Sequence, residues 1–385
     1  MYIERQADKK IEELIKTKKI LLVLGARQVG KTTSVKNFLI NKKFTYLNLD
    51  IEVDKNKLLA AFLLNPADAY EYFGRPDYLV IDEAQRELKS AQIVKGWYDA
   101  NTAMRIILLG SSSLNLLNQS AESLTGRNEK LFLSPLAFEE IIKNQDWFST
   151  RFSKDALLSN FNQQIHYLLV SSLIFGNYPE AVTTQDKERF LLNLVSDYLF
   201  KDVLQLGLVK SPELIKRLLL LLAHQIGSEV SINELANSLN ISRQTVERYL
   251  DILEQTYVIF RLRSYSTNPR KEISKSQKIY FYDTGVRNAL LKEFSLSETR
   301  SDLGALWENW VIAEFIKNNL LNDQRKNIYF WRSRSLSEVD LVVKDGDNLA
   351  AYEIKWKRLN VVNRAFEEQY GVKVKIINNQ DPLFL

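Results

Sequence analysis

Short, continuously apolar runs punctuate the first third of the chain, each closed by a glycine or a carboxylate. Ile20-Leu21-Leu22-Val23-Leu24 has no polar position, which predicts a strand buried on both faces of a parallel sheet. Tyr78-Leu79-Val80-Ile81 and residues 105–109 repeat the pattern, so this region reads as α/β. Over 185–226 the apolar positions fall at three- and four-residue spacing (Leu191, Leu194, Val195, Leu199), the period of helices forming a lid or connector. Ser231 and Glu234 mark a capped helix start, followed by inward Leu235, Ala236 and Leu239 and a break at Asn240. Ser242 then caps a second helix with Val246, Tyr249, Leu250 and Leu253 inside and Arg243, Gln244 and Arg248 outside. Residues 257–265 and 278–282 alternate like the two strands of a hairpin.

The last hundred residues begin with a helical pattern over 302–320, through Leu303, Leu306, Trp307, Trp310, Val311 and Phe315. Two strand-like runs, 338–343 and 351–356, flank the turn signal Asp345-Gly346-Asp347-Asn348. If those four residues form the loop, Asp340 stands opposite Glu353 and Lys355 shares that face. A two-residue loop at Asp345-Gly346 makes the carboxylates diagonal neighbours instead; only an odd loop separates them.

Composition changes the picture by exclusion. The 385 residues exceed one ordinary core, and 45% hydrophobic with 26% charged residues describes a folded protein of several domains. With no cysteine, disulfides, thiol catalysis and cysteine-ligated zinc are excluded. His166 and His224 lack metal-ligand spacing and read as ordinary helix-surface or core residues. The charged N-terminus lacks the apolar core of a signal peptide, and no stretch is apolar for long enough to span a bilayer. A soluble, cytoplasmic protein without a membrane partner is expected. The net charge of +5 permits contact with nucleic acid without demanding it.

The first apolar strand runs directly into Gly25-Ala26-Arg27-Gln28-Val29-Gly30-Lys31-Thr32, and a helical stretch follows from Thr33. Strand, GxxxxGK[ST] and helix make the full P-loop context. Its backbone amides and the helix N-terminus would surround the phosphates of ATP. Lys31 would bridge the β- and γ-phosphates, and the Thr32 hydroxyl would take one Mg2+ position. Asp82, at the carboxyl end of the second strand, can hold that ion through its water shell, and Glu83 can polarise the attacking water. After the third strand, a hydroxyl of Ser111-Ser112-Ser113 serves either the γ-phosphate and water or the N-cap of the next helix. Arg127, after Gly126, is either a solvated charge or an arginine finger, acting within the chain or toward another copy in a homo-oligomer.

The segments GARQVGKT (25–32), LVIDEAQ (79–85), LLGSSS (108–113), TGR (125–127), LSPLAFEEI (133–141), FGNYPEAV (175–182) and YLFKDV (198–203) resemble a prokaryotic branch of the AAA-type ATPases with an uncharacterised C-terminal domain. Asn177 departs from that pattern, where glycine is expected. The helix–turn–helix followed by a hairpin reads as a winged helix. Residues 261–278 hold Arg261, Arg263, Arg270, Lys271, Lys275 and Lys278 against one acid, Glu272, a footprint suited to a DNA backbone or, as solvated charge, to a protein-contact module.

Glu308 falls on or beside the apolar side of its helix, a costly place for a carboxylate that neither pairs nor ligates. Glu308, Asp340 and Glu353-x-Lys355, in order on helix, strand and strand, resemble the PD-(D/E)XK nuclease superfamily. There Asp340 and Glu353 would hold Mg2+ or Mn2+ and Lys355 would position the attacking water. A surface salt-bridge cluster is the competing reading. The expected architecture is therefore α/β and multidomain: a P-loop AAA-type ATPase domain over 1–145, a helical lid or connector over 146–228, a winged helix over 229–283 and a restriction-endonuclease-like domain over 284–385. The expected function is ATP binding and hydrolysis coupled to DNA binding and metal-dependent cleavage. The alternative is a nucleotide-dependent switch whose C-terminal half binds a protein or DNA without cutting.

Overall fold

In a computed structural model, five consecutive parallel strands organise the first part of the chain. The structure describes residues 2–111, 124–199, 211–266, 277–322, 326–333, 337–357 and 364–383. The expectations at Ser112 and Ser113, at Arg270, Lys271 and Lys275, and over most of 198–203 lie outside these residues. Two units divide the chain: 2–134 with 255–257, and 135–254 with 258–385.

In the first unit, β1 (Ile20–Leu24), β2 (Phe44–Asn48), β3 (Tyr78–Asp82), β4 (Arg105–Gly110) and β5 (Asn128–Phe132) pair in the order β2-β3-β4-β1-β5. Every residue of β1 is buried, as its unbroken apolar run requires. Helices α1 (Gln6–Leu14), α2 (Lys31–Phe38), α3 (Glu52–Phe62), α4 (Pro66–Tyr72) and α5 (Ser90–Asp99) accompany the sheet. Leu22, Leu24, Leu79, Ile81 and Leu108 from the strands pack with Leu58, Val94 and Trp97 from the helices in one core. Because all strands run the same way, the loop after β1 and the ends of β3 and β4 emerge together at one edge.

The second unit opens with helices α6 (Phe138–Lys143), α7 (Lys154–Asn160), α8 (Asn162–Phe175), α9 (Pro179–Thr183) and α10 (Lys187–Asn193). A π-helical stretch, Leu194–Leu199, continues α10, and α11 (Pro212–His224) follows. The turn after α8 explains the unexpected Asn177. The backbone is left-handed one residue earlier, at Gly176 (φ 68°), where a Cβ would lie 1.8 Å from Asp283 Oδ1. Asn177 donates its backbone N–H to Asp283 Oδ2 at 2.7 Å, and the glycine demand falls on position 176 alone.

The short strand β6 (Glu229–Val230) leads into α12 (Ile232–Leu239) and α13 (Arg243–Gln255), and then into the antiparallel pair β7 (Ile259–Ser264) and β8 (Gln277–Phe281). Ser231 caps α12 by accepting from Glu234 N, and the Ser242 hydroxyl accepts from Thr245 N. After α14 (Thr284–Leu291) and α15 (Leu303–Leu321) come β9 (Asn327–Arg332), β10 (Glu338–Asp345), β11 (Asn348–Ile354), α16 (Arg364–Tyr370) and β12 (Val374–Ile377). All these strands join one seven-stranded sheet, ordered β12-β11-β10-β9-β7-β8-β6. The hairpin and the C-terminal strands are thus one sheet, joined where β7 runs parallel to β9 at Arg263↔Tyr329 and Ser264↔Phe330.

The turn between β10 and β11 is tighter than the four-residue loop. Asp345 pairs with Asn348, leaving Gly346-Asp347 as the connection. The register is nevertheless the one that four-residue loop demands. Leu341 faces Tyr352, and one step on Asp340 faces Glu353.

Candidate functional site

The loop after β1 wraps so closely on its own domain that only glycine fits its first position. At Gly25 (φ 152°) a Cβ would lie 2.0 Å from the Leu133 carbonyl oxygen. Ala26 and Val29 are buried, Arg27 and Gln28 half-buried, and Gln28 is left-handed (φ 58°) before Gly30 opens α2. Lys31 is 6% exposed and donates to the carbonyls of Gly25 at 2.9 Å and Ala26 at 2.8 Å. Its ammonium lies over the loop, at the point where a phosphate would compete for it. Thr33 is exposed.

The Thr32 hydroxyl donates to Asp82 Oδ2 at 2.6 Å. This joins the start of α2 to the end of β3, although β4 separates β3 from β1 in the sheet. A hydroxyl and a carboxylate converging beside a phosphate cradle are the donor set a magnesium ion takes, so these residues fit the ion that the P-loop implies. Asp82 Oδ1 accepts from Glu83 N at 2.8 Å, and Glu83 itself is left-handed (φ 53°). Gln85 Nε2 donates to Glu83 Oε2 at 2.5 Å and to the Ser111 hydroxyl at 3.1 Å. Ser111 is buried at the end of β4, where Gly110 pairs with Leu24. Lys31, Thr32, Asp82, Glu83 and Ser111 therefore gather at one edge of the sheet.

Arg127 does not join them. It precedes β5, whose first residue pairs with Ile20, and its carbonyl accepts from Ile20 N at 2.9 Å. It thus lies at the opposite end of β1 from the P-loop, about 16 Å away at ~3.3 Å per strand residue. Its guanidinium bonds Asp99 at 2.6 Å. The expectation of a finger toward its own phosphates is corrected by that placement.

Two further residues support this edge. Arg5, buried before α1, donates to the carbonyls of Val29 in the loop at 2.9 Å and Ser134 at 2.8 Å. Tyr46 on β2 donates its hydroxyl to Asp82 Oδ2 at 2.5 Å. Burial and then Asp82 push that phenol well above its ordinary pKa. Neither contact leaves a local signal, because each partner lies 24 or more positions away.

In the second unit, Asp340 and Glu353 are buried side by side on β10 and β11, with Lys355 between them at 3.3 Å from Asp340 Oδ2 and 2.8 Å from Glu353 Oε1. Asp340 Oδ2 also accepts from Ile354 N at 2.7 Å. Burial and Asp340 hold the Glu353 carboxyl above the usual range, against the pull of Lys355. Among the described residues Glu353 Oε2 has no hydrogen-bond partner. That orphaned oxygen, beside Asp340, fits a cation. Among the described residues no group of three or more histidine, aspartate or glutamate side chains is arranged to hold a metal.

Glu308 reaches the same neighbourhood from α15, and Lys278, expected in the basic cluster of 261–278, meets it there. Lys278 is 2% exposed and bonds Glu308 at 3.1 Å and, more tightly, Glu338. Tyr280 adds a hydroxyl to Glu308 at 2.5 Å. Burial, reinforced by the Asp340 charge, pushes the Glu308 carboxyl up to about 7 against the pull of Lys278 and Tyr280. Lys278 is therefore no part of an exposed basic stripe. Arg261 is withdrawn too, paired with Asp251 at 2.6 Å and with Glu254. Arg243, Gln244, Arg248 and Arg263 remain exposed, as a surface contact requires. His166 lies at a helix surface, 2.8 Å from Glu298.

Comparison with known proteins agrees with the first unit's architecture. The model of the AAA domain matches residues 17–142, and two domains of unknown function, DUF8612 and DUF4143, match 167–297 and 303–379. Uncharacterized protein MJ1544 of Methanocaldococcus jannaschii is 30% identical over 403 residues, spanning 95% of this chain and 83% of the relative. Uncharacterized protein Rv2008c of Mycobacterium tuberculosis is 29% identical over 362 residues, covering 92% and 74%. Among solved structures, the Walker-type ATPase paby2304 of Pyrococcus abyssi superposes with a TM-score of 0.50 at 16% identity, covering 75% of this chain and 96% of that one. No helix among the described residues is long and apolar enough to cross a membrane.

Proposed function

We propose that this chain, which belongs to the family of uncharacterized protein MJ1544 of Methanocaldococcus jannaschii and carries a AAA-type P-loop ATPase domain, hydrolyses ATP and uses the cycle to control DNA binding by its C-terminal half. The observation that carries the hydrolytic reading is the gathering of Lys31, Thr32, Asp82 and Glu83 at one sheet edge, with the Thr32 hydroxyl already on the Asp82 carboxylate. Loop amides and Lys31 bind and orient the phosphates. Mg2+ supplies charge neutralisation when bound, with Thr32 and Asp82 to hold it. Glu83 accepts a proton from the attacking water once its carboxylate leaves Gln85. Glu83→Gln is expected to retain ATP while turning it over about 10²–10⁴-fold more slowly. Phosphate release at saturating ATP measures this, and an unchanged rate removes Glu83 from the role. The surface position of Arg127, remote from its own loop, supports a role toward a neighbouring copy.

For the C-terminal half, the order β6, α12, α13, β7, β8 supports a winged helix, with Arg243, Gln244 and Arg248 exposed on its second helix. The order α15, β9, β10, β11, α16, β12 with Asp340, Glu353 and Lys355 supports a nuclease-like fold. DNA binding should weaken linearly on a log–log salt plot, by about −0.9 per phosphate contact. A second reading, cleavage, is favoured by Glu353 Oε2, which lacks a partner among the described residues. Incubating plasmid DNA with the protein and Mn2+ or Mg2+ decides between cutting and switching. Nicking that disappears in Asp340→Ala supports a nuclease; binding without nicking under any divalent ion leaves the nucleotide-dependent switch. A flat salt response removes DNA as the partner and points to a protein.

A further inference from the structure

Tyr46 belongs to no motif of the nucleotide site, yet it touches the carboxylate on which that site turns. Along β2 and β3, Tyr46 stands opposite Val80 and Asn48 opposite Asp82. The phenol is therefore a diagonal neighbour of Asp82 on one face of the sheet. Its hydroxyl and that of Thr32 donate to the same oxygen, Asp82 Oδ2, at 2.5 and 2.6 Å. The Lys36 ammonium, on the helix the P-loop opens, lies 4.6 Å from the centroid of the Tyr46 ring. One side chain thus links β2, the end of β3 and α2.

The double donation has a chemical consequence. A hydroxyl carries one donor and two lone pairs, so Thr32 can serve a metal through its oxygen while its O–H stays on Asp82 Oδ2, and Tyr46 is the second donor that fixes the same carboxylate oxygen. Rotation about the last torsion of an aspartate is soft, so a carboxylate held by one hydroxyl keeps its aim less well than one held by two. We propose that Tyr46 is a positioning residue for the metal of the bound nucleotide, its phenol holding the Asp82 carboxylate in place together with the Thr32 hydroxyl. This rests on the ATPase reading above. Tyrosine is suited to the task because its ring packs in the half-buried strand face while the hydroxyl must find an acceptor there.

The test is Tyr46→Phe, which keeps the ring and its contact with Lys36. Mn2+ binding to protein loaded with a non-hydrolysable ATP analogue, followed by the electron paramagnetic resonance of free Mn2+, is expected to weaken about 10-fold, the low end for loss of a ligand-orienting hydrogen bond. Affinity for the analogue in EDTA is expected to stay unchanged, and the lost hydrolysis should return at high Mg2+. Unaltered Mn2+ affinity, or an equal loss of analogue affinity with and without metal, overturns the assignment in favour of a plain structural hydrogen bond. A wild-type chain that takes up no analogue at all overturns the ATPase reading first, and this one with it.

Discussion

Replacing Lys31 with alanine is expected to abolish retention of ATP and to lower hydrolysis about 10²–10³-fold or more, as for loss of one preorganised electrostatic donor. The lysine is buried and already carries its charge into the loop, held by the Gly25 and Ala26 carbonyls. Phosphate oxygens would replace those two acceptors with far stronger ones, so the nucleotide supplies the energy that draws the ammonium across. Equilibrium dialysis with ATP and Mg2+ measures retention. The variant also leaves two carbonyls without that donor, at about 1–3 kcal/mol if they remain dry, so a thermal unfolding scan must accompany the binding curve. ATP affinity near the wild-type value in a folded variant would contradict the cradle.

Replacing Lys278 with methionine is expected to destabilise the second unit by about 3–5 kcal/mol, the usual result of removing one partner from a buried ion pair. The ammonium is 2% exposed and serves both Glu308 and Glu338, so its loss leaves two carboxylates facing each other near Asp340. The deficit should depend on pH in a fixed direction. Glu308 titrates at about 7 in the folded chain, above its ordinary 4.5. A carboxyl raised in this way favours the fold below its unfolded value and weakens it as pH rises through the folded one. Removing Lys278 takes away a pull toward lower pKa and strengthens the effect. Urea unfolding followed through Trp307, Trp310 and Trp331 should therefore show a smaller deficit at pH 5 than at pH 8. A loss that is equal at both would mean that Glu308 is not the group left exposed to the change.

Legibility in the sequence followed the range of each interaction. The P-loop was readable because strand, loop and helix are contiguous and each residue type answers a local demand, such as the missing Cβ at Gly25. The Asp340–Glu353 pair was readable because a hairpin has a two-residue period and a short turn, which leaves few registers. The burial of Lys278 has no sign in composition, which shows a basic cluster but not which lysine the sheet turns inward. Its partners, Glu308 and Glu338, lie on a helix and a strand 30 and more positions away. The two roles open to Arg127 in the sequence stay open for the same reason. A glycine followed by arginine says nothing about which end of a strand it meets, and only the pairing of Asn128 with Ile20 fixes that. Tyr46 gives no sign at all, since a tyrosine in a strand is ordinary until its hydroxyl finds Asp82.

The two-pair seam between β7 and β9 sets how the second unit can be taken apart. A fragment starting after Leu291 would keep β9 to β12 but strip β9 of its neighbour on one side. The bared backbone of β9, between Tyr329 and Trp331, would be open to another chain, so such a fragment is prone to self-association. Hairpin and C-terminal strands are thus best inherited, expressed and exchanged as a single piece.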